Sequence, residues 1–140
     1  MIIAVDFDGT IVTQEYPEIG RPIKGAIETI KAIIENDHKV FLWTMRCNKK
    51  YRRRDLLQEA IDYCHDNGVE LYSANISPSQ FSTSNKQYAS LYIDDAALGC
   101  PLINTGNFWD EPYVDWYKIG KMLVERDVIT EEQFNKIWNE

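Results

Sequence analysis

The chain has 140 residues, 44% of them hydrophobic, and a net charge of −7. That is enough apolar material for one full domain, 1–140, and it excludes a disordered chain or two separate domains. No apolar stretch approaches the roughly 20 residues that cross a bilayer, and Met1-Ile2-Ile3-Ala4-Val5-Asp6 lacks the basic start of a signal peptide, so no membrane partner and a cytoplasmic location are expected.

Residues 2–5 form a short apolar run that meets Asp6 at once, which predicts a buried strand. Pro22 stands at a helix start, and Ala26, Ile27, Ile30, Ile33 and Ile34 follow at helical spacing, predicting a helix over 22–36. Residues 40–43 read as a second buried strand. Leu57, Ala60, Ile61 and Cys64 mark one face of a second helix, which Gly68 ends. Residues 69–73 are predicted as a third strand and 91–93 as a fourth, running into Asp94-Asp95, with Leu102-Ile103 as a short fifth. Pro112 is predicted to open a helix carrying Val114, Ile119, Met122 and Leu123. Thr130 with Glu131 and Glu132 reads as the cap and first turn of a last helix.

Strands alternating with helices predict an α/β fold, a three-layer α/β/α arrangement on a mainly parallel five-stranded Rossmann-like sheet. The stretches 10–21 and 76–85 are polar and turn-rich, the expected site-lining loops. Cys47, Cys64 and Cys100 have no paired spacing, so neither a disulfide framework nor a metal knuckle is expected; Cys64 falls on an apolar helix face and reads as core. His38 and His65 have no partner at metal-ligand spacing and read as structural or exposed.

The charge is uneven. Arg46, Lys49, Lys50, Arg52, Arg53 and Arg54 follow one another without an acid in an otherwise acidic chain, which suggests a local anion site or a solvated face. Trp109, Tyr113, Trp116 and Tyr117 are expected mostly in packing, with Trp109 and Tyr113 the candidates for a homodimer patch.

In open parallel sheets, ligands sit beyond the carboxyl ends of the strands. Here strand one delivers Asp6 and Asp8, strand two Thr44 and Arg46, and strand four Asp94 and Asp95. Carboxylates so crowded do not all stay ionised without a compensating cation. Oxygen donors favour a hard one, so Mg²⁺ is the expected cofactor.

Asp6-Phe7-Asp8-Gly9-Thr10 after a first strand, Thr44 after the second, Lys86 eight residues before the acid pair, and Asp94-Asp95 after the fourth occur in this order. In these motifs the chain resembles the haloacid dehalogenase-like superfamily of phosphatases, in its small capless bacterial and phage form, over roughly residues 1–105. The resemblance implies a Mg²⁺-dependent phosphomonoester hydrolase. Asp6 would be the nucleophile that forms an aspartyl-phosphate, and Asp8 the general acid and base. Thr44 and Lys86 would hold the phosphate oxygens. Asp6, the main-chain carbonyl of Asp8, Asp94 and Asp95 would meet the metal. The lack of room for a cap implies an open site for a phosphorylated small molecule, nucleotide or nucleic-acid end.

The alternative is a non-catalytic phosphate-binding module or a receiver-like signalling domain. Receivers place the accepting Asp after the third strand, where this chain has Ser73-Ala74-Asn75, and pure binding has no use for the proton carrier Asp8.

Overall fold

The computed structural model describes residues 1–80 and 83–139, so residues 81 and 82 of the predicted loop 76–85 lie outside the described residues, as does residue 140. Four strands form a parallel sheet: β1 (Ile2–Val5), β2 (Lys39–Leu42), β3 (Ser73–Ala74) and β4 (Leu91–Ile93), in the order β3-β2-β1-β4. Ile3 is in register with Val40 and Leu91, and Val5 with Leu42 and Ile93.

Alternation along each strand splits the apolar residues between two faces. Ile3, Val5, Val40 and Leu42 face the main core. Buried residues from all four helices join it: α1 (Ala26–Glu35), α2 (Leu56–Asp66), α3 (Trp116–Glu125) and α4 (Glu131–Trp138). On the other face, Ala4 and Phe41 form a small cluster with Ala89 and the half-buried Ile2 and Trp43. Right-handed crossovers from β1 to β2 to β3 move one way and put α1 and α2 on the same face. The link from β3 to β4 runs back the other way and covers the second face. Its residues, among them Asn75, Ser77, Pro78, Ser79, Ser84 and Asn85, offer no apolar repeat at helical spacing, and its described residues form no helix.

The expected three layers and fifth sheet strand are therefore not what the described residues form. β5 (Leu102–Ile103) pairs antiparallel with β6 (Tyr113–Val114) in a separate two-stranded sheet. Leu102 and Ile103 are both exposed, which no inner strand of a covered parallel sheet would be.

Element ends follow local chemistry. Gly68 ends α2 as predicted: at φ 80 its N–H donates to the His65 carbonyl at 2.9 Å, and the next N–H, of Val69, donates to Cys64 at 2.9 Å. Thr130 caps α4 as predicted, in a reciprocal capping box with Gln133. Two prolines mislead. Pro22 bridges to Val12 ahead of α1, and Pro112 precedes β6; α3 starts only where the Asp115 carboxylate accepts from the N–H groups of Tyr117 and Lys118. Among the described residues, no helix is long and apolar enough to cross a membrane.

Candidate active site: an acid cleft at the switch point of the sheet

The strand order reverses between β1 and β4, because β2 lies on one side of β1 and β4 on the other. Chains leaving two neighbouring strands in opposite directions open a crevice at their carboxyl ends. There the Asp6 N–H donates to the Ile93 carbonyl at 2.9 Å, placing Asp6 beside the start of Asp94-Asp95. A cleft of about 500 Å³ is lined by Asp6, Asp8, Thr44, Arg46, Asp94 and Asp95, together with Gln14, Tyr16, Met45 and Ala96.

The turn after β1 is held from several sides. The Thr10 and Ile11 N–H groups donate to the Phe7 carbonyl at 3.1 and 2.8 Å. The indole of the buried Trp116 donates to the Thr10 carbonyl at 2.6 Å, a packing role with a polar handle. Gly9 has φ 79, and a Cβ there would stand 2.6 Å from Asp95 Oδ2, so the turn and the fourth-strand acids meet across a glycine. Its amide donates to the Val12 carbonyl at 2.7 Å and is thus committed to the turn rather than to a ligand.

One carboxylate oxygen from each of Asp6, Asp94 and Asp95 lies within 4.8 Å of the others. The hydroxyl of the buried Thr10 sits among them, 3.3 Å from Asp6 Oδ2 and 3.1 Å from Asp95 Oδ1, and accepts the Asp95 N–H at 3.2 Å. Burial, a hydrogen bond with Asp95 and the nearby Asp94 charge push Asp6 up to about 8. Asp94 is pushed up too, first by its own burial and then by Asp95.

The other wall is cationic. Arg46, 1% exposed, donates from Nε to Asp8 Oδ2 and from Nη2 to Asp8 Oδ1, both at 2.8 Å. It also donates to the Leu56 and Glu18 carbonyls at 3.2 and 3.0 Å. Its guanidinium lies 5.1 Å from the Phe7 ring centroid and 5.4 Å from that of Tyr16. This bidentate fork is the strong form of carboxylate pairing. The strand-two loop is tied down by Asn75, whose Oδ1 accepts the Thr44 N–H at 2.9 Å while its Nδ2 donates to the Arg46 carbonyl at 3.0 Å. The Thr44 hydroxyl accepts the Arg46 N–H at 3.2 Å.

Asp6, Asp8, Thr44, Asp94 and Asp95 thus meet in one cleft, and Lys86 does not join them. It is exposed beside a separate depression with Ser84, Tyr88, Ala89 and Tyr92, its Nζ 5.6 Å from the Tyr92 ring centroid. The reason is the length of β4. The strand has three residues, and Ser90 just before it already donates to the Ile2 carbonyl at the amino-terminal rim. Residues further back from Asp94 lie away from the acid rim. Arg46 supplies the cation that lines the cleft. Thr10, Tyr16 and Asn75 were not singled out from sequence. Thr10 lay within the quoted motif, whereas Tyr16 and Asn75 sit in loops that carry no periodic signal.

Beyond Arg46 the basic run closes a tight turn. Tyr51 and Arg54 exchange both main-chain hydrogen bonds at 2.8 Å, and Arg52 and Arg53 between them have φ 49 and 69. Two positive φ values mark a turn that asparagine and glycine favour, and each non-glycine residue costs on the order of 1 kcal/mol there. Arg54 pairs with Glu18 and Glu59, each at 2.7 Å, and holds the turn to the loop that carries Tyr16.

Among solved structures, a conserved protein coded by a locus from Bacteroides thetaiotaomicron is similar: 38% identity over 90% of this chain and 91% of that one, with a TM-score of 0.67. No protein-family model and no curated protein matches.

Proposed function

We propose, for a chain that belongs to the same family as that conserved Bacteroides protein, a Mg²⁺-dependent phosphatase of the haloacid dehalogenase-like kind, acting on a phosphomonoester. The observation that carries the reading is the meeting of Asp6, Asp94 and Asp95 within 4.8 Å at the switch point, with Asp8 on the same cleft.

The acids fit a divalent cation. Asp6 is nucleophilic only as the carboxylate, yet burial, reinforced by its acidic neighbours, holds its proton up to about pH 8. Three carboxylates with no nitrogen or sulfur donor suit a hard ion such as Mg²⁺. Asp6, Asp94 and Asp95 would hold it with their side chains, while the Asp8 side chain is turned to Arg46. When bound, Mg²⁺ supplies positive charge against the phosphate oxygens.

The residues then divide the work. Asp6 attacks phosphorus and forms the aspartyl-phosphate as the bond to the leaving oxygen breaks. That oxygen takes a proton from Asp8. Asp8 next removes a proton from water, which attacks phosphorus and frees Asp6 and inorganic phosphate. Thr44 offers its hydroxyl to the phosphate, and Arg46 is the cleft's fixed cation. Because both oxygens of Asp8 accept from Arg46, the carboxylate must turn from the guanidinium toward the cleft and take up a proton from solvent before it donates one.

Release of phosphate from an aryl phosphate, with Mg²⁺ and with chelator, tests this. Turnover is expected only with the metal, and Asp6→Asn is expected to abolish it. Asp8→Asn is expected to slow it by about 10²–10⁴-fold. Full activity in Asp6→Asn would remove the mechanism. The bidentate Asp8–Arg46 pair favours one rival, a phosphate-binding module without turnover. Tight phosphate binding by a wild type that hydrolyses none of a panel of phosphate esters would establish that instead.

A further inference from the structure

The basic turn next to the acid cleft has features that neither the fold nor the acid site explains. Of its six cations, Arg46 is committed to Asp8, and Arg54 to Glu18 and Glu59. Lys49, Lys50, Arg52 and Arg53 are all exposed, and within the described residues none of them makes an ion pair or a side-chain hydrogen bond. The Arg52 guanidinium lies only over its neighbour's ring, 5.4 Å from the Tyr51 centroid. In a chain of net charge −7, four exposed cations that no acid pairs among the described residues form a local electropositive surface.

The backbone adds a second observation. Arg52 and Arg53 occupy the two central positions of a turn with positive φ, where Asn-Gly is the relaxed choice. The chain therefore presents two arginines at the tip against their conformational preference. Strain of this kind collects where a side chain has a task. The turn is also placed for one. Met45 and Arg46 line the cleft just ahead of it, and Arg54, at its end, donates to the Pro17 carbonyl and pairs with Glu18, next to the cleft residue Tyr16.

We infer that this turn binds a second phosphate of the substrate, so that the preferred substrate carries a phosphate beyond the one the acid cleft hydrolyses; the inference rests on the phosphatase reading above. The cleft itself offers a phosphate four carboxylates and one arginine that Asp8 already occupies. A further phosphate reaching the turn would meet uncommitted cations, and the arginines among them can fork onto its oxygens. That chemistry is shared by a small bisphosphorylated molecule and by the phosphorylated end of an oligonucleotide.

Three probes separate the cases: an aryl phosphate, a nucleoside 3′,5′-bisphosphate and a 5′-phosphorylated oligonucleotide. The wild type is compared with a variant carrying Lys49→Gln, Lys50→Gln, Arg52→Gln and Arg53→Gln. We expect kcat/KM on a multiply phosphorylated probe to fall by about tenfold or more through KM, with the aryl phosphate unchanged. For the oligonucleotide, the salt dependence of binding should flatten as well. A loss on the bisphosphate as well as the oligonucleotide assigns the site to a single second phosphate, and a loss on the oligonucleotide alone assigns it to a longer backbone. Equal losses on all three probes, or none, would overturn the inference. Arg52→Asn with Arg53→Gly is the complementary variant. It should melt about 2–4 °C higher while binding the multiply phosphorylated probe more weakly, and unchanged binding in it counts against the site. Equilibrium binding to Asp6→Asn protein keeps the two ideas apart. If no probe is hydrolysed but the turn still selects multiply phosphorylated ones, the phosphatase reading fails and the binding site stands.

Discussion

Asp6 and Asp8 are two residues apart in sequence and face opposite walls of one cleft. Asp6 looks toward Asp94 and Asp95 and is pushed up to about 8. Asp8 looks toward Arg46 and gives both oxygens to it at 2.8 Å. The glycine turn and the change in strand order produce this division, because β1 has the acids of β4 on one side and the loop after β2 on the other. Two carboxyl groups of the same kind acquire two roles when their surroundings differ in charge. One wall is acidic, and the other already contains a cation.

The largest expected effect tests the anionic wall. Asp6 has a folded pKa far above its ordinary 3.8, so between about pH 4 and about pH 8 the native state holds a proton that the unfolded chain has lost. Stability should therefore be fullest below about pH 4 and fall as pH rises toward about 8, with a slope of at most about 1.4 kcal/mol per pH unit for one proton. Chemical denaturation across this range measures it. Asp6→Asn should flatten the slope to the smaller part left by Asp94, and saturating Mg²⁺ should flatten it in the wild type by displacing the proton. A wild type and an Asp6→Asn protein with the same pH profile would show that burial and the acidic wall do not hold a proton on Asp6.

Next comes the cationic wall. Arg46→Met keeps much of the packing volume between Phe7 and Tyr16 but leaves Asp8 without its partner and removes a hydrogen bond to each of two carbonyls. Removing one member of a buried pair costs about 3–5 kcal/mol. Since the Asp8 side chain is 11% exposed, the lower end is expected, read as a drop in the denaturation midpoint. Arg46→Lys restores the charge without the fork and should recover only part of the loss. If Arg46→Met and Arg46→Lys are equally stable, charge is not what this wall supplies.

Much of this arrangement is legible in the sequence, and the gaps have physical causes. β1 and β4 are short apolar runs that meet acids at once, so strand ends and acids locate each other. Thr130 and Gly68 end helices through hydrogen bonds that depend on a few adjacent residues. Pro22 and Pro112 failed as helix starts because proline suits any extended approach, and the competing cue, the Asp115 cap, lay nearby. The lack of a helix among the described residues between β3 and β4 was visible as a lack of periodicity, yet the alternating pattern elsewhere implied a third layer. Lys86 was placed by its count back from Asp94, and a count along the chain does not say which rim a residue reaches when the strand has three residues. Arg46 was expected on the rim after strand two, but its burial was not legible. A buried arginine and one on a solvated loop look the same in sequence, and only Asp8, Glu18 and Leu56, brought together by the fold, separate them.

Gly9→Ala probes the seam between the two walls, and its effect on stability is the smallest. At φ 79 an alanine is strained, which costs about 1–2 kcal/mol. The new methyl would stand 2.6 Å from Asp95 Oδ2, the tip of a side chain that can rotate, so the fold yields by moving that carboxylate. Asp95 would then leave Thr10 Oγ1, now 3.1 Å away, and draw back from Asp6. Asp8 and Arg46 lie on the far wall and should keep their pairing. The expected result is a modest fall in the denaturation midpoint with a disproportionate loss of Mg²⁺ affinity, measured calorimetrically. A variant that loses stability while binding Mg²⁺ as the wild type does would mean that Asp95 contributes nothing to the cation, leaving Asp6 and Asp94 to hold it.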